Sequence, residues 1–305
     1  LNSPQSTGDP RLVGSFIAFY SAFTAFTGSI AGAASNLTTV FATVSVLWKK
    51  ARTILDEPIE DGWRVEAINH VFEGEISLRD IRIQPSGLRS PLINNISLTV
   101  DSGKILAIAG ERASGKSLLL KTMIGMTTPD LGEVLIDSIP ISKIAIRGLR
   151  RQVGYLPQEV VLETLCIGDL LRENRDDSDD KLWAMLRDVG LEERIRALPQ
   201  QLNTQLEGDG EPLNSGERKL LALARALLRQ PSALLLDEFL VGVAEEAHAD
   251  LLALIQSQEC TTVLVASHES ELKIANTIVL LENGTIRCQG KLGSPGLERD
   301  VFVLD

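Results

Sequence analysis

An α/β domain preceded by one membrane-spanning helix is the fold the sequence predicts, and three observations carry it. The first is a run of 37 residues, Leu12–Trp48, without a single charge. The second is a set of short apolar stretches, Ile105–Ala109, Ala233–Leu236 and Thr262–Ala266, of the kind found in strands buried on both faces of a sheet. The third is the helical periodicity of Leu118–Met126, Leu182–Val189 and Arg218–Leu228, lying between those stretches.

Within the uncharged run, Leu12–Ala34 supplies 23 residues rich in Phe, Ala, Gly and Ser, enough for a bilayer crossing of about 20 residues. Gly28, Gly32 and Ala33 are small residues of the kind that let helices pack closely inside a membrane. As one helix the whole run would be about 55 Å long, against a hydrocarbon core of about 30 Å. Part of it is therefore expected to project as a cytoplasmic stalk. Lys49, Lys50 and Arg52 follow the span and mark the cytoplasmic side. The charged stretch Asp56–Asp61, with Pro58 and Gly62, reads as a linker. The expected division is residues 1–57 as last transmembrane helix and stalk, 58–74 as linker, and 75–305 as the globular domain.

Along that domain, Ile76, Leu78, Ile81 and Ile83, then Leu92, Ile93, Ile96, Leu98 and Val100, alternate as in a small antiparallel sheet. Asp176–Asp180 reads as a solvated loop. Ile278–Leu281 followed by Asn283-Gly284 predicts a hairpin near the end. Cys166, Cys260 and Cys288 are scattered and odd in number, which suits reduced thiols in a cytosolic domain. The formal net charge of −11 argues against nucleic acid as a partner, because phosphate backbones are met by basic faces. The chain opens on Leu1, and is expected to be part of something longer.

The chemistry begins at Gly110-Glu111-Arg112-Ala113-Ser114-Gly115-Lys116-Ser117. This is G-x-x-x-x-G-K-[ST] between a buried strand and a helix, the context a phosphate-binding loop requires. Loop N–H groups and the positive helix end cradle phosphate. Gly115 permits close backbone approach. Lys116 neutralises the β- and γ-phosphates, and the Ser117 hydroxyl is a Mg²⁺ ligand. The core is therefore that of a P-loop NTPase, with ATP and Mg²⁺ as expected ligands. Some 120 residues later the strand Ala233–Leu236 ends in Asp237-Glu238. Asp237 is placed to hold Mg²⁺, and Glu238 to polarise the attacking water.

At this point the sequence resembles the ATP-binding domain of ABC transporters, over roughly residues 75–290. Leu213-Asn214-Ser215-Gly216-Glu217, followed by Arg218–Leu227, is similar to the family signature L-S-G-G-Q and its helix. The resemblance implies an α-helical subdomain beside the small antiparallel one. It implies that Gln158, in Tyr155-Leu156-Pro157-Gln158-Glu159, is the glutamine that touches Mg²⁺ and the water. It further implies that His268, in Ala266-Ser267-His268-Glu269, is the switch histidine that contacts the γ-phosphate. The apolar N-terminal segment resembles the last transmembrane helix of an exporter. The order of span, basic cluster, linker and ATPase resembles exporters of peptides or bacteriocins. That places the chain in the cell membrane, with its ATP-binding domain in the cytoplasm.

Four departures shape the expectation. Asn214 lacks the signature serine hydroxyl, Ser215 adds a side chain where backbone meets phosphate, and Glu217 brings negative charge near an anion. Ala244 stands where the family has the D-loop aspartate. Ala113 replaces a loop glycine. No aromatic near Ile83–Pro85 is available to stack on adenine, so base selectivity is expected to be low. In the family two ATPase domains pair head to tail, the signature of one closing over the ATP of the other. Intact own-site residues and an altered signature therefore imply a second half-transporter as partner, in a heterodimer rather than a homodimer. The competing reading is a degenerate half that mainly binds ATP and regulates. A soluble ATPase of translation or repair is disfavoured by the uncharged run and the single phosphate loop.

Overall fold

The computed structural model describes residues 10–56, 68, 70–85, 87, 90–208, 210–294 and 297. The chain divides into two compact units, residues 1–60 and 61–305. The expected linker at Pro58 and Gly62 lies outside the described residues.

The first unit is one helix, α1 (Pro10–Leu55). It does not stop at the uncharged run but continues through Lys49, Lys50 and Arg52, all good helix formers. Its 46 residues correspond to about 69 Å. Gly14–Leu55 is long and apolar enough to cross a membrane by length and composition, with mean hydropathy 1.5. The hydroxyls that a bilayer would penalise fold back onto the helix. Ser21, Thr24, Thr27 and Thr38 donate to the carbonyls of Ile17, Tyr20, Phe23 and Ala34 at 2.7–2.9 Å, leaving no free donor on those residues. Arg52 pairs with Asp56 one turn later.

The second unit begins with two antiparallel strands, β1 (Ile76–Ile83) and β2 (Ile93–Val100). Then come β3 (Ile105–Ala109), α2 (Lys116–Met123), β4 (Leu131–Ile136) and β5 (Ile139–Pro140). Next are α3 (Ile146–Gln152), β6 (Val153–Leu156), α4 (Ile167–Arg172), α5 (Asp179–Asp188) and α6 (Glu192–Arg196). The chain continues through α7 (Ser215–Leu228), β7 (Ala233–Asp237), α8 (Glu245–Ser257), β8 (Thr261–Val265) and α9 (Glu269–Ile274). It ends in the hairpin β9 (Thr277–Glu282) and β10 (Thr285–Gly290).

Two sheets result. One is antiparallel in the order β2-β1-β4-β5, and the other has the order β10-β9-β3-β8-β7-β6. In the second, β3, β6, β7, β8 and β9 run parallel and only β10 is reversed. All five residues of β3, of β7 and of β8 are buried, as suits their largely apolar stretches. Asn283 and Gly284 both take positive φ and close the expected hairpin.

Three helices start earlier than expected, each at its cap. Asp179 and Asp180 belong to the first turn of α5, because Ser178 caps it and acidic residues suit that end. Helix α2 starts two residues early, directly after the left-handed Gly115, and ends before Gly125 at φ +70°. Helix α7 starts three residues early, at a reciprocal cap described below.

Residues 70–75 are stitched to this unit. Asp137 accepts from His70 Nε2 and from the N–H groups of Glu73, Gly74 and Glu75. Phe72 is buried in the core.

Candidate functional site

The loop between β3 and α2 is held by backbone shape. Gly110 has φ +146°, and an added Cβ would stand 2.2 Å from the Leu281 carbonyl oxygen. Gly115 has φ +99°, with its added Cβ 2.5 Å from Ile93 Cδ1. Ala113 sits at φ +60°, a left-handed position where a Cβ costs about 1–2 kcal/mol relative to glycine. The departure at Ala113 is thus a strained residue that the loop tolerates.

Lys116 is buried and its Nζ donates 2.7 Å to both the Gly110 and Glu111 carbonyls. Burial pushes the ammonium below its ordinary pKa, while the charges of Glu238 and Asp237 pull it back. Its neighbour Ser117 donates from Oγ to Asp237 Oδ1 at 3.0 Å. Asp237, at the end of β7, is 2% exposed. Burial raises its carboxyl, the Ser117 hydrogen bond opposes this, and the Glu238 charge adds to it.

Gln158 and Glu238 meet across the cleft, Nε2 donating to Oε2 at 2.7 Å. Glu238 holds φ +48°. His268 precedes α9, and its backbone N–H donates to Glu271 Oε2 at 2.8 Å while its carbonyl accepts from the Glu271 N–H at 3.1 Å.

These groups open on one cleft of about 960 Å³. Its lining holds Gly110–Ala113, Gly115, Lys116, Ser117, Gln158, Glu238 and His268. Ser114 stays out of the lining, with its buried hydroxyl unpaired. Asp237 reaches the site behind Ser117. Among the lining residues that sequence reading did not assign to the site are Lys121, His248, Glu245 and Leu92. His248 lies 5.0 Å from the His268 ring, centroid to centroid, and contacts the Val243 carbonyl at 3.1 Å. Among the described residues no Phe, Tyr or Trp lines the cleft.

The fit to ATP and Mg²⁺ rests on the donor set. Helix α2 is preceded by Gly115, whose lack of a side chain leaves the first-turn N–H groups without a side-chain cap, an anion site. A serine hydroxyl and a buried carboxylate are hard oxygen ligands that suit Mg²⁺. Among the described residues no three His, Cys, Asp or Glu side chains form a metal cluster. Mg²⁺ held by these two oxygens would complete its shell with phosphate or water oxygens.

Asn214, Ser215, Gly216 and Glu217 do not line this cleft. They form the start of α7, where Asn214 Oδ1 accepts from Glu217 N–H at 2.8 Å and Glu217 Oε2 accepts from Asn214 N–H at 2.9 Å. The second Glu217 oxygen accepts from Arg194 Nε at 2.9 Å. The charge expected to repel an anion is therefore already paired. Ala244 precedes α8 with no side-chain cap.

The ABC transporter family model matches residues 93–241. The chain is 30% identical over 220 residues to an uncharacterized ABC transporter ATP-binding protein, YfiB, of Bacillus subtilis, covering 72% of this chain and 38% of that protein. It is 28% identical over 296 residues to an ATP-dependent lipid A-core flippase of Thiobacillus denitrificans, 92% of this chain and 49% of the relative. Among solved structures, a bacterial Atm1-family ABC exporter with ATP bound is similar over 80% of this chain and 43% of its own, with 26% identity and a TM-score of 0.73. The chain spans less than half the length of each. The strand–loop–helix cleft, the two sheets around it and these relatives agree that the chain carries an ABC transporter nucleotide-binding domain with exporters among its relatives.

Proposed function

We propose that this chain is the ATP-hydrolysing part of an exporter half, coupling turnover to transport across the cell membrane with its ATP-binding domain in the cytoplasm. The observation that carries the reading is one cleft lined by Lys116, Ser117, Gln158, Glu238 and His268, with Asp237 bonded to Ser117. In it Lys116 and the N–H groups of residues 110–117 hold the phosphates. Ser117 and Asp237, with Gln158, hold Mg²⁺, which when bound neutralises phosphate oxygens. Glu238 polarises the water and His268 donates toward the γ-phosphate. Helix α1 is the membrane crossing, in the division 1–57, 58–74 and 75–305. The proposed cargo is a peptide, on the resemblance of that order to peptide exporters.

The pairing we propose is a heterodimer with a second half-transporter. The partner's intact signature would serve this chain's cleft, and the self-paired Asn214–Glu217 would serve the partner's. Two observations favour the competing reading of a regulatory, weakly hydrolysing half: Glu217 occupies its own helix start, and Ala244 leaves α8 uncapped. The reconstituted pair decides between them. Glu238→Gln should lower turnover on the order of 10²–10⁴-fold, the usual worth of a general base, whereas the matching change in the partner should do little. Full turnover in the Glu238→Gln pair would favour the regulatory reading. Ordinary transporter rates from this chain paired with itself would overturn the heterodimer.

A further inference from the structure

Lys219 is a buried charge that the phosphate site does not use. It lies on α7 and is 6% exposed, yet it carries an ammonium. Its Nζ donates to the Glu238 carbonyl at 3.0 Å and to the Val241 carbonyl at 2.9 Å. A buried ammonium is stable only where its donors are met, and here two of the three close on one short turn. The carboxylates of Glu238, Asp237 and Glu271 also act on its charge.

That turn needs holding. Glu238 is at φ +48°, and such a residue persists only where its surroundings over-determine it. Its own N–H reaches Val265 O at a long 3.3 Å, and Val241 N–H returns to Glu238 O at 3.2 Å. The Lys219 bonds are shorter than either of these two backbone ties. Helix α7 is pressed against the same turn at Gly216, where an added Cβ would stand 2.2 Å from the Gly242 carbonyl oxygen. Gly216 and Lys219 are three residues apart, on one face of the helix.

We propose that Lys219 is a positioning residue for Glu238: it clamps the 238–241 turn to α7 and thereby ties the carboxylate to the Asn214–Glu217 end of that helix. The inference rests on the reading of Glu238 as the group that polarises water. A shift of α7 at its first turn then moves the Glu238 backbone directly. Occupancy of the surface offered to a partner is felt at this chain's own hydrolytic group.

The test measures ATP affinity and hydrolysis separately in the assembled transporter, for Lys219→Met, Lys219→Gln and Glu238→Gln. Met keeps length and removes the donors; Gln restores two N–H donors without charge. The expected result is a kcat lowered on the order of 10–100-fold by Lys219→Met, the scale of a small misplacement. ATP affinity should change less than about twofold, because the phosphate contacts are untouched. Lys219→Gln should recover most of the rate. Hydrogen exchange at 238–243 should rise on the order of tenfold in Lys219→Met with β3 and β8 unchanged, a local opening that needs no activity to be read. Unchanged kcat and exchange in Lys219→Met, with Glu238→Gln inactive, overturns the clamp and leaves the reading of Glu238 standing. Full activity in Glu238→Gln overturns both.

Discussion

The starts of α2 and α7 are the same physical object built in opposite ways. Each is a helix N-terminus with orphan N–H donors and a positive dipole end. At α2 the residue before the helix is Gly115, left-handed and without a side chain. Around it the chain carries strain at Ala113 and buried charge at Lys116 and Asp237. At α7 the residue before the helix is Asn214, which exchanges hydrogen bonds with Glu217, and Glu217 is paired with Arg194. The first end keeps its donors for something else; the second has supplied its own anion. Unspent donors beside a buried lysine mark where a ligand is awaited, and a satisfied cap marks a surface that is stable without one.

The largest effect expected from this contrast is at Lys116. Lys116→Ala removes a buried ammonium from the loop that the uncapped α2 faces. ATP affinity, measured by titration, should fall on the order of 100-fold, two charge-assisted contacts at about 1.5 kcal/mol each. Unchanged affinity would mean that the strained loop is not a phosphate site and would erase the contrast.

A smaller effect tests the other end. Asn214→Ala removes the side-chain half of the α7 cap and should cost about 1 kcal/mol of stability, about 2–4 °C in melting temperature for a domain of this size. ATP affinity at the Lys116 cleft should stay the same, since Asn214 does not line it. A stability loss near zero would show that Glu217 and Arg194 hold the helix start alone. Weaker ATP binding would show that the two ends are not separate.

The sequence made the α2 end legible and the α7 end only half so. Gly110, Gly115, Lys116 and Ser117 are fixed in spacing because one short loop must wrap one phosphate group, and β3 and β7 announce themselves as unbroken apolar runs. The Asn214–Glu217 segment was read as damage to a signature. Its reciprocal cap is also a sequence pattern, an Asn followed three residues later by Glu, and was readable in principle. Arg194 was not, being 23 residues away on α6. His248 and Lys121 are single polar residues on amphipathic helices, and only the packing of α8 and α2 decides that they face the cleft. Lys219 did leave a trace: it shares the buried face of α7 with Ala222 and Leu223, at helical spacing. A lysine on an apolar stripe is a reason to look for carbonyls opposite it.

The last expected effect is one of slope. Beside the cleft, Glu271 is fully buried, accepting from the N–H groups of Ser267 and His268 and from the Ser267 hydroxyl, while its Oε1 has no partner. Burial raises its carboxyl above the ordinary 4.5; those hydrogen bonds and the nearby His248 oppose the shift without cancelling it. A carboxyl raised in the folded state binds its proton more tightly there than in the unfolded chain. Its contribution to stability is then fully present below pH 4.5 and is lost as pH rises through the folded value. Glu271→Gln keeps the shape and one acceptor but has no proton to lose. The melting temperature of Glu271→Gln minus that of the parent chain, without nucleotide, should therefore increase steadily from about pH 4.5 toward neutrality. Here the satisfied and unsatisfied halves of the contrast meet in one side chain: Oε2 is spent on capping α9 and Oε1 is left bare. Parallel melting curves across that range would mean that the cap outweighs burial, and Glu271 would then belong with Glu217, as a carboxylate whose charge the fold has already met.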